Sequence, residues 1–233
     1  MECNYYGNTD IGLHRKNNED AFIVQELSHG HILAVVADGV GSNPGGGIAS
    51  SIACKCISSY FNGIDIDSGQ NSVDLLKGAM CYANNTIITA QQTMSEYREM
   101  ASTVTAVLLN LHKMELTIGH VGDSRLYRCQ SGNLTALTTD DIAYSGHKLS
   151  KWTGKLFLNY DIDYFHVETL PVTAPCSFLL CSDGLHGIVS HETIKTVTSD
   201  DLLSPYDKVM SLIRAANASG GYDNVTAIIV ELK

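Results

Sequence analysis

Aspartates recur in this chain where a run of apolar residues begins or ends. Four of them have this placement: Asp20 before 21–24, Asp38 after 31–37, Asp183 after 177–181, and Asp223 before 225–230. Such runs are typical of buried β-strands, and at strand ends loops meet a rigid scaffold. Carboxylates gathered there would repel one another unless a cation lay between them, and oxygen ligands select hard ions such as Mg²⁺ or Mn²⁺. The pattern predicts strands that end at a metal site.

Length and charge narrow the class of protein. The chain has 233 residues, and we expect residues 1–233 to form a single domain with a sizeable core. Its formal net charge is −10, and its basic residues are scattered. Nucleic acids and anionic membranes are bound through clustered basic side chains, so we expect neither as the main partner. Because no signal peptide and no bilayer-length apolar run is present, we expect a cytoplasmic protein without membrane insertion.

Cysteine usage indicates a reduced interior. The seven cysteines are an odd number and include no CxxC pair. This favours free thiols over a disulfide framework or a zinc site. None of the thiols is predicted to be catalytic.

Apolar periodicity predicts helices over residues 47–61 and 72–94, each packing one face on a sheet. Residues 62–69 are rich in turn formers and predict the connection between these helices. The order of strands and helices indicates sheet layers covered by helices, without strict βαβ alternation.

Three further strands and a late helix are predicted. The strands cover 103–111, 115–121 and 126–129, and their spacing indicates an antiparallel meander. Ser204 as N-cap, followed by Pro205, predicts a helix that ends at a Gly-Gly pair before the final strand.

Five motifs resemble, in their order, those of the metal-dependent serine/threonine protein phosphatases, the PPM or type-2C family. They are Arg15 to Asp20, Asp38 to Gly41, Gly122 to Arg125, Cys181 to Leu185, and Asp223 to Thr226. The resemblance covers nearly the whole chain and is to the bacterial type with a shortened flap. It implies an α+β fold: a four-layer α-β-β-α sandwich with two central antiparallel β-sheets flanked by helices.

The resemblance also implies an activity and its partners. The chain would hydrolyse phosphoserine and phosphothreonine in proteins by a metal-bridging hydroxide, without a covalent phosphoenzyme. Its cofactors would be two Mn²⁺ or Mg²⁺ ions, with a third at a weaker site. A bacterial Ser/Thr kinase and its substrates would be its partners.

Site residues carry over from the resemblance one by one. Asp38 would bridge two ions, and the Gly39 carbonyl would be a further ligand. Asp183 and Asp223 would complete the shell of the other ion, and Asp123 would join Asp183 at a third. Glu19 and Asp20 would hold metal-bound waters, with Asp20 counted among the metal residues and Glu19 and Asn224 supporting them.

Physical reasons accompany these roles. Two metal ions lower the pKa of a shared water and stabilise charge on a phosphoryl group. Arg15 resembles the family's phosphate-binding guanidinium, whose planar fork fits phosphate oxygens. Gly39 lacks a Cβ, so its backbone can approach an ion closely.

The chain departs from the family pattern at several positions. Ser42, Asn43 and Gly47 stand where bacterial members usually have Gly, His and Glu, and Asp141 stands where a His is usual. The stretch from residue 138 to Cys181 is also shortened. We expect this reduced flap to give shallow discrimination among phosphopeptides.

Other readings of these residues remain. Asp-Gly and Asp-Asn are common turn dipeptides, and Asp123 could be an ordinary surface turn. His14, His120 and His186 are expected to pack or face solvent rather than bind metal. Ser182 lacks the Ser-His arrangement of a nucleophile, so water is the expected nucleophile.

Two rival functions are also considered. The main alternative is a non-catalytic metal-binding signalling module, a pseudophosphatase, although such a module would be free to lose Asp183 or Asp223. An aspartyl-nucleophile phosphatase is disfavoured because the first apolar strand does not end in a DxD pattern.

Overall fold

Ten β-strands and five α-helices are found in the part of the chain that the computed structural model describes: residues 2–42, 44–62, 64, 66, 70–143, 149–154 and 164–233. In chain order they are β1 (Cys3–Asp10), β2 (Asp20–Leu27), β3 (His31–Asp38), α1 (Gly46–Tyr60), α2 (Ser72–Thr93), β4 (Val104–Asn110), β5 (Glu115–Val121), β6 (Arg125–Gln130), β7 (Asn133–Ala136), β8 (His166–Pro171), β9 (Cys176–Cys181), α3 (Asp183–His186), α4 (His191–Thr198), α5 (Pro205–Ala218) and β10 (Val225–Leu232). No helix among these residues combines the length and apolar character needed to cross a membrane.

The strands form two five-stranded sheets. The first has the order β1-β10-β9-β6-β7, and the second has the order β2-β3-β4-β5-β8. All neighbouring strands within the two sheets are antiparallel. Each sheet is covered on its outer face by helices, so the expected α+β sandwich of four layers is confirmed.

Strand β3 is apolar over residues 32–37 and lacks the alternation of apolar and polar residues, because both of its faces are buried. Leu33 and Val35 belong to the layer shared with α1 and α2. Ile32 and Ala34 belong to the layer between the two sheets. Because both faces of the strand are buried, a continuous apolar run replaces the alternating pattern of a strand with one solvated face.

Strand β10 has the same arrangement in the first sheet. Ile228 and Val230 belong to the layer between the sheets. Ala227 and Ile229 belong to an outer layer with apolar residues of α3, α4 and α5. The late helix, α5, begins as predicted, since Ser204 Oγ accepts a hydrogen bond from the Asp207 N–H at 3.2 Å.

The predicted meander is wrong at its third strand. Strands β4 and β5 do pair, but β6 crosses to the first sheet and pairs with β7 and β9. The place next to β5 is taken by β8. The chain changes sheet at Gly122, whose φ of +108° permits a turn that other residues rarely adopt. Spacing along the sequence cannot distinguish this crossing from a hairpin.

Some sequence predictions fall on residues outside the described ranges. These are Asn43, most of the connection 62–69, and positions 144–148 and 155–163 of the shortened flap. Strands β1, β7 and β8 and helices α3 and α4 were not predicted. Two of them show why: every residue of β1 is only partly buried, and α4 buries only Ile194 and Thr198, so neither has a strong apolar pattern.

The burial of the layer between the sheets predicts that two leucine substitutions change the free energy of unfolding by very different amounts. Leu180 of β9 is fully buried there, and Leu202 between α4 and α5 is 95% exposed. We expect Leu180→Ala to lower the free energy of unfolding by about 2–5 kcal/mol, because it removes apolar contacts and leaves a cavity. Leu202→Ala should change it by less than about 0.5 kcal/mol. Urea denaturation measures both, and equal effects would contradict the layer assignment.

Candidate active site

The strand ends bring the predicted acidic residues to one edge of the sandwich. Asp20 and Asp38 lie opposite each other on the paired strands β2 and β3. Asp183 follows β9 and Asp223 precedes β10, and these two strands are antiparallel neighbours. The end of β9 therefore lies beside the start of β10, so Asp183 and Asp223 are near each other. Together with Asp20 and Asp38 of the second sheet, they form an acidic edge of the sandwich.

A pocket of about 630 Å³ lies at this edge. Its lining includes every predicted site residue except Asp20: Arg15, Glu19, Asp38, Gly39, Asp123, Asp183, Asp223 and Asn224. The residues that complete it, and that were not predicted as site residues, are Val40, Gly41, Ser42, Thr103, Leu149 and Trp152. The structure thus brings together residues from both ends of the chain.

Asp20 is buried and held by two hydroxyl groups. Its Oδ2 accepts hydrogen bonds from Ser182 Oγ at 2.7 Å and from Thr226 Oγ1 at 2.6 Å. Its Oδ1 is buried without a hydrogen-bond partner. Burial raises the pKa of Asp20 to about 6, although both hydroxyl groups lower it and the charges of nearby aspartates raise it further. Sequence reasoning missed Ser182 and Thr226 as supports because only the fold brings them to Asp20.

Asp38 and Asp123 also lie close to other carboxyl groups. Burial and then the charge of Asp20 raise the pKa of Asp38 well above its usual value, and a hydrogen bond with Asp183 acts in the same direction. Burial, together with the charges of Asp183 and Asp140, raises the pKa of Asp123 to about 7. Without a cation between them, these groups cannot all be ionised at neutral pH without strong repulsion.

The backbone at Asp38 is fixed by the neighbouring strand. The Asp38 N–H donates to Thr103 Oγ1 at 3.0 Å, and the Asp38 carbonyl accepts from the Thr103 N–H at 2.8 Å. Ser102 Oγ donates to the same carbonyl at 3.0 Å. These contacts fix where β3 ends and where the Asp38 side chain begins.

Gly39 is required by packing. A Cβ at this position would lie 2.3 Å from the carbonyl carbon of Gly46, at the start of α1. The sequence suggested glycine for close approach to an ion, whereas the structure supplies a separate reason. The role of the Gly39 carbonyl as a metal ligand stays a prediction.

Asn224 ties the segment that carries Arg15 and Glu19 to the start of β10. Its Oδ1 accepts from the Glu19 N–H at 2.8 Å. Its Nδ2 donates to the carbonyls of Ile11 at 2.9 Å and Asn17 at 3.0 Å. Asn224 is buried and uses both ends of its amide, and its support of the metal residues stays a prediction.

Arg15 contacts an acidic residue of the site. Its Nη2 lies 2.6 Å from Asp223 Oδ2, and the two side chains are 41% and 34% exposed. An exposed ion pair of this kind contributes about 0–1 kcal/mol, so it separates at little cost. The guanidinium therefore lies at the pocket wall, where it can exchange Asp223 for an anionic ligand.

The loop that carries Asp123 is held on both sides. The Gly122 N–H donates to Asp141 Oδ2 at 3.1 Å, and the Asp141 N–H donates to the Gly122 carbonyl at 2.7 Å. His186 Nε2 lies 2.9 Å from the Asp123 carbonyl oxygen. His186 thus helps to position this loop, and Asp141 supports it through both hydrogen bonds with Gly122.

The donor set fits a divalent cation, but the side chains are not closed around one. Within the described ranges, no group of three or more His, Cys, Asp or Glu side chains is arranged so that it could hold a metal ion. The Arg15 guanidinium contacts Asp223 and offsets part of the negative charge of the pocket. Oxygen-only donors with an unpartnered buried oxygen on Asp20 are the chemistry that Mg²⁺ or Mn²⁺ prefers.

Comparison with known proteins gives the family. A profile described as protein phosphatase 2C matches residues 14–225. The serine/threonine protein phosphatase PstP of Mycobacterium tuberculosis is 30% identical over 98% of this chain, which spans 45% of PstP. The serine/threonine phosphatase stp of Listeria welshimeri is 28% identical, with 96% of this chain and 93% of that protein covered.

Solved structures agree with this assignment. A crystal structure of the M. tuberculosis serine/threonine phosphatase PstP/Ppp has a TM-score of 0.83 at 27% identity and covers 99% of each chain. The PstP catalytic domain in complex with two manganese ions has a TM-score of 0.81 at 27% identity, covering 98% of this chain and 97% of that one. The S. agalactiae serine/threonine phosphatase has a TM-score of 0.86 at 25% identity, with both chains fully covered.

The sequence match and the two-sheet sandwich point to the same class of protein, the protein phosphatase 2C class. The chain belongs to the protein phosphatase 2C family. The family and the fold expected from the motifs are therefore confirmed.

Proposed function

We propose that this chain is a Mn²⁺- or Mg²⁺-dependent phosphatase that hydrolyses phosphoserine and phosphothreonine in proteins. The observation that carries the proposal is the single pocket lined by Asp38, Asp183 and Asp223 together with Arg15. Membership of the protein phosphatase 2C family supports the reaction class, and the manganese ions of the PstP catalytic domain support the cofactor.

The proposal extends to the biological setting. Residues 1–233 act as one phosphatase domain, in the cytoplasm, and reverse phosphorylation by a bacterial Ser/Thr kinase. The names of the relatives, which are serine/threonine phosphatases of bacteria, support this setting.

The carboxylates of the pocket are proposed to hold the metal ions. Asp38 takes the bridging position with the Gly39 carbonyl beside it, and Asp183 and Asp223 complete the second ion's ligands. When bound, the ions lower the pKa of a water molecule and offset negative charge on the phosphoryl group. Glu19 and Asp20 would hold waters bound to the ions, and the hydroxyl groups on Asp20 fix its orientation.

Arg15 is proposed to bind the phosphate group of the substrate. Its guanidinium is partly exposed and lines the pocket, and its present partner is a carboxylate, whose oxygens resemble those of phosphate. A metal ion on Asp223 would compete for that carboxylate and so free Arg15 for the substrate. Asn224 keeps the two groups at neighbouring positions because it bonds the backbone on both sides of Arg15.

Water is proposed as the nucleophile. Ser182, the hydroxyl residue next to Asp183, is fully buried and donates to Asp20, and it accepts from the Thr226 N–H. Its oxygen is therefore engaged in holding the site together. The reaction would proceed without a phosphoenzyme.

One observation favours the alternative of a non-catalytic signalling module. The ion pair between Arg15 and Asp223 occupies both a proposed substrate group and a proposed metal ligand. In a pseudophosphatase this pair would persist when Mn²⁺ is added, whereas in an enzyme it would open. Activity and its metal dependence separate the two functions.

The proposal predicts metal-dependent turnover of a small substrate. With Mn²⁺ the purified chain should hydrolyse p-nitrophenyl phosphate, lose the activity in chelator, and regain it when Mn²⁺ returns. Asp38→Asn and Asp223→Asn should each lower kcat by about 10²-fold or more, because a metal ligand is lost. Asp201→Asn, at an exposed acidic residue outside the pocket, should retain wild-type turnover. Full activity in metal-stripped protein would overturn the proposal.

The proposed contact between Arg15 and the substrate phosphate predicts that substitutions at Arg15 weaken substrate binding. Arg15→Ala should mainly raise KM for phosphorylated substrates, because the guanidinium contacts phosphate in the ground state as well as in the transition state. Arg15→Lys should recover only part of the loss, since the bidentate geometry is gone. Steady-state kinetics on one phosphopeptide measures both. A lower kcat at constant KM would instead restrict Arg15 to the transition state.

The proposed third metal site at Asp123 predicts a second phase in the activation of the enzyme by Mn²⁺. If Asp123 and Asp183 hold a third ion weakly, activity should continue to rise at Mn²⁺ concentrations well above those that fill the first two sites. Asp123→Ala should remove this upper phase and keep the lower one. A titration of both proteins with Mn²⁺ tests the claim, and a single shared phase would refute it.

A further inference from the structure

An exposed apolar surface adjoins the candidate active site on the side of Asp223. It consists of the exposed side chains of Ile11, Leu13 and Tyr222 with the half-buried Ile188 beside them, and we call these four residues the apolar patch. Leu13 and Tyr222 are each 66% exposed, and Ile11 is 39% exposed. Large apolar side chains grouped on a surface beside a site are a common mark of a binding surface.

The backbone beneath the patch is fixed. The Leu13 N–H donates to the Gly221 carbonyl at 2.7 Å, and Asn224 Nδ2 donates to the Ile11 carbonyl at 2.9 Å. The Tyr222 ring stacks on His14 with centroids 5.0 Å apart and planes 26° apart. The side chains of the patch are therefore presented by an ordered surface, which lowers the entropic cost of binding to it.

The patch is continuous with the active-site pocket. A second depression, of about 370 Å³, is lined by Ile188 and Tyr222 and by Asp183 and Asp223. The same two aspartates line the active-site pocket. An extended chain advances about 3.3 Å per residue. Because the two depressions share two wall residues, their separation is on the order of 10 Å, which an extended peptide with its phosphate in the pocket covers in about three residues.

The chemistry of the second depression selects an apolar side chain. Apart from Asp183 and Asp223, the residues that line it carry no charge. The ring of Tyr222 and the side chain of Ile188 offer apolar walls.

We propose that the apolar patch is a substrate subsite that receives an aliphatic or aromatic side chain within three residues of the phosphorylated residue. The inference rests on the proposed phosphatase activity and names the class of phosphoprotein segment that the same site prefers. Tyr222 and Leu13 are its specificity-determining residues. The preference arises from a surface other than the shortened flap.

Synthetic phosphothreonine peptides test the subsite. One peptide has only glycine and serine around the phosphothreonine, and six others have a single leucine at one of the three positions on either side. Each is assayed for kcat/KM with the wild type, Tyr222→Ala, Leu13→Ala and the control Leu202→Ala. The control removes a leucine that is 95% exposed and lies outside both pockets. Activity on p-nitrophenyl phosphate, which has no flanking residues, is measured for all four proteins.

The wild type should favour at least one leucine peptide by about tenfold, as expected for partial burial of one leucine side chain. Tyr222→Ala and Leu13→Ala should reduce this preference to about twofold or less, and Leu202→Ala should retain it. Turnover of p-nitrophenyl phosphate should be equal in all four proteins to within about twofold, because that substrate does not reach the patch.

The inference would be overturned if the wild type showed no preference for leucine at any position. It would also be overturned if the preference for leucine peptides survived in both Tyr222→Ala and Leu13→Ala. A dimer that dissociates in the patch variants while the peptide preference is unchanged would assign the patch to a second copy of the chain. If Tyr222→Ala loses activity on p-nitrophenyl phosphate because Asp223 is disturbed, Leu13→Ala alone decides. A wild type that hydrolyses neither p-nitrophenyl phosphate nor any peptide would instead contradict the proposed function.

Discussion

Contact between the two sheets is the interaction on which the candidate site depends. Asp20 and Asp38 belong to strands of the second sheet, whereas Asp183 and Asp223 flank strands of the first. The apolar layer between the sheets, together with the hydrogen bonds from Ser182 and Thr226 to Asp20, holds these two pairs at one edge. Interiors of this kind are close-packed and resist deformation, so they can keep like charges near one another.

The crowded carboxyl groups of the site reduce the stability that the apolar layer between the sheets provides. Raised pKa values at Asp20, Asp38 and Asp123 mean that the folded chain disfavours their ionised forms. The Arg15–Asp223 ion pair offsets part of this repulsion. A cation bound to Asp223 would replace this contact, so metal binding, the position of Arg15 and stability are coupled in this pocket.

Much of the fold could be predicted because local signals agreed with the tertiary structure. The apolar run before Asp38 and the Ser204 cap became β3 and the start of α5. The sheet assignment of β6 could not be predicted, because it depends on a partner strand, β9, about fifty residues later in the chain. Strand β1 could not be predicted either, since its residues are only partly buried.

The candidate site, like the fold, could be predicted only in part from the sequence. Its acidic residues could be found because motifs and strand ends mark them in the sequence. Their partners could not: the hydroxyl groups on Asp20 come from Ser182 and Thr226, which approach only when both sheets stack. The apolar patch was also missed, since Leu13 and Tyr222 lie far apart in sequence and meet through the Leu13–Gly221 hydrogen bond.

A crystal structure grown with Mn²⁺ and measured at an anomalous wavelength tests the central claim most directly. The account predicts two strong anomalous peaks in the pocket, within about 2.0–2.6 Å of the oxygens of Asp38, Asp183 and Asp223. It also predicts that Arg15 has moved away from Asp223. A pocket without anomalous density, in which the Arg15–Asp223 ion pair persists at saturating Mn²⁺, would contradict the account.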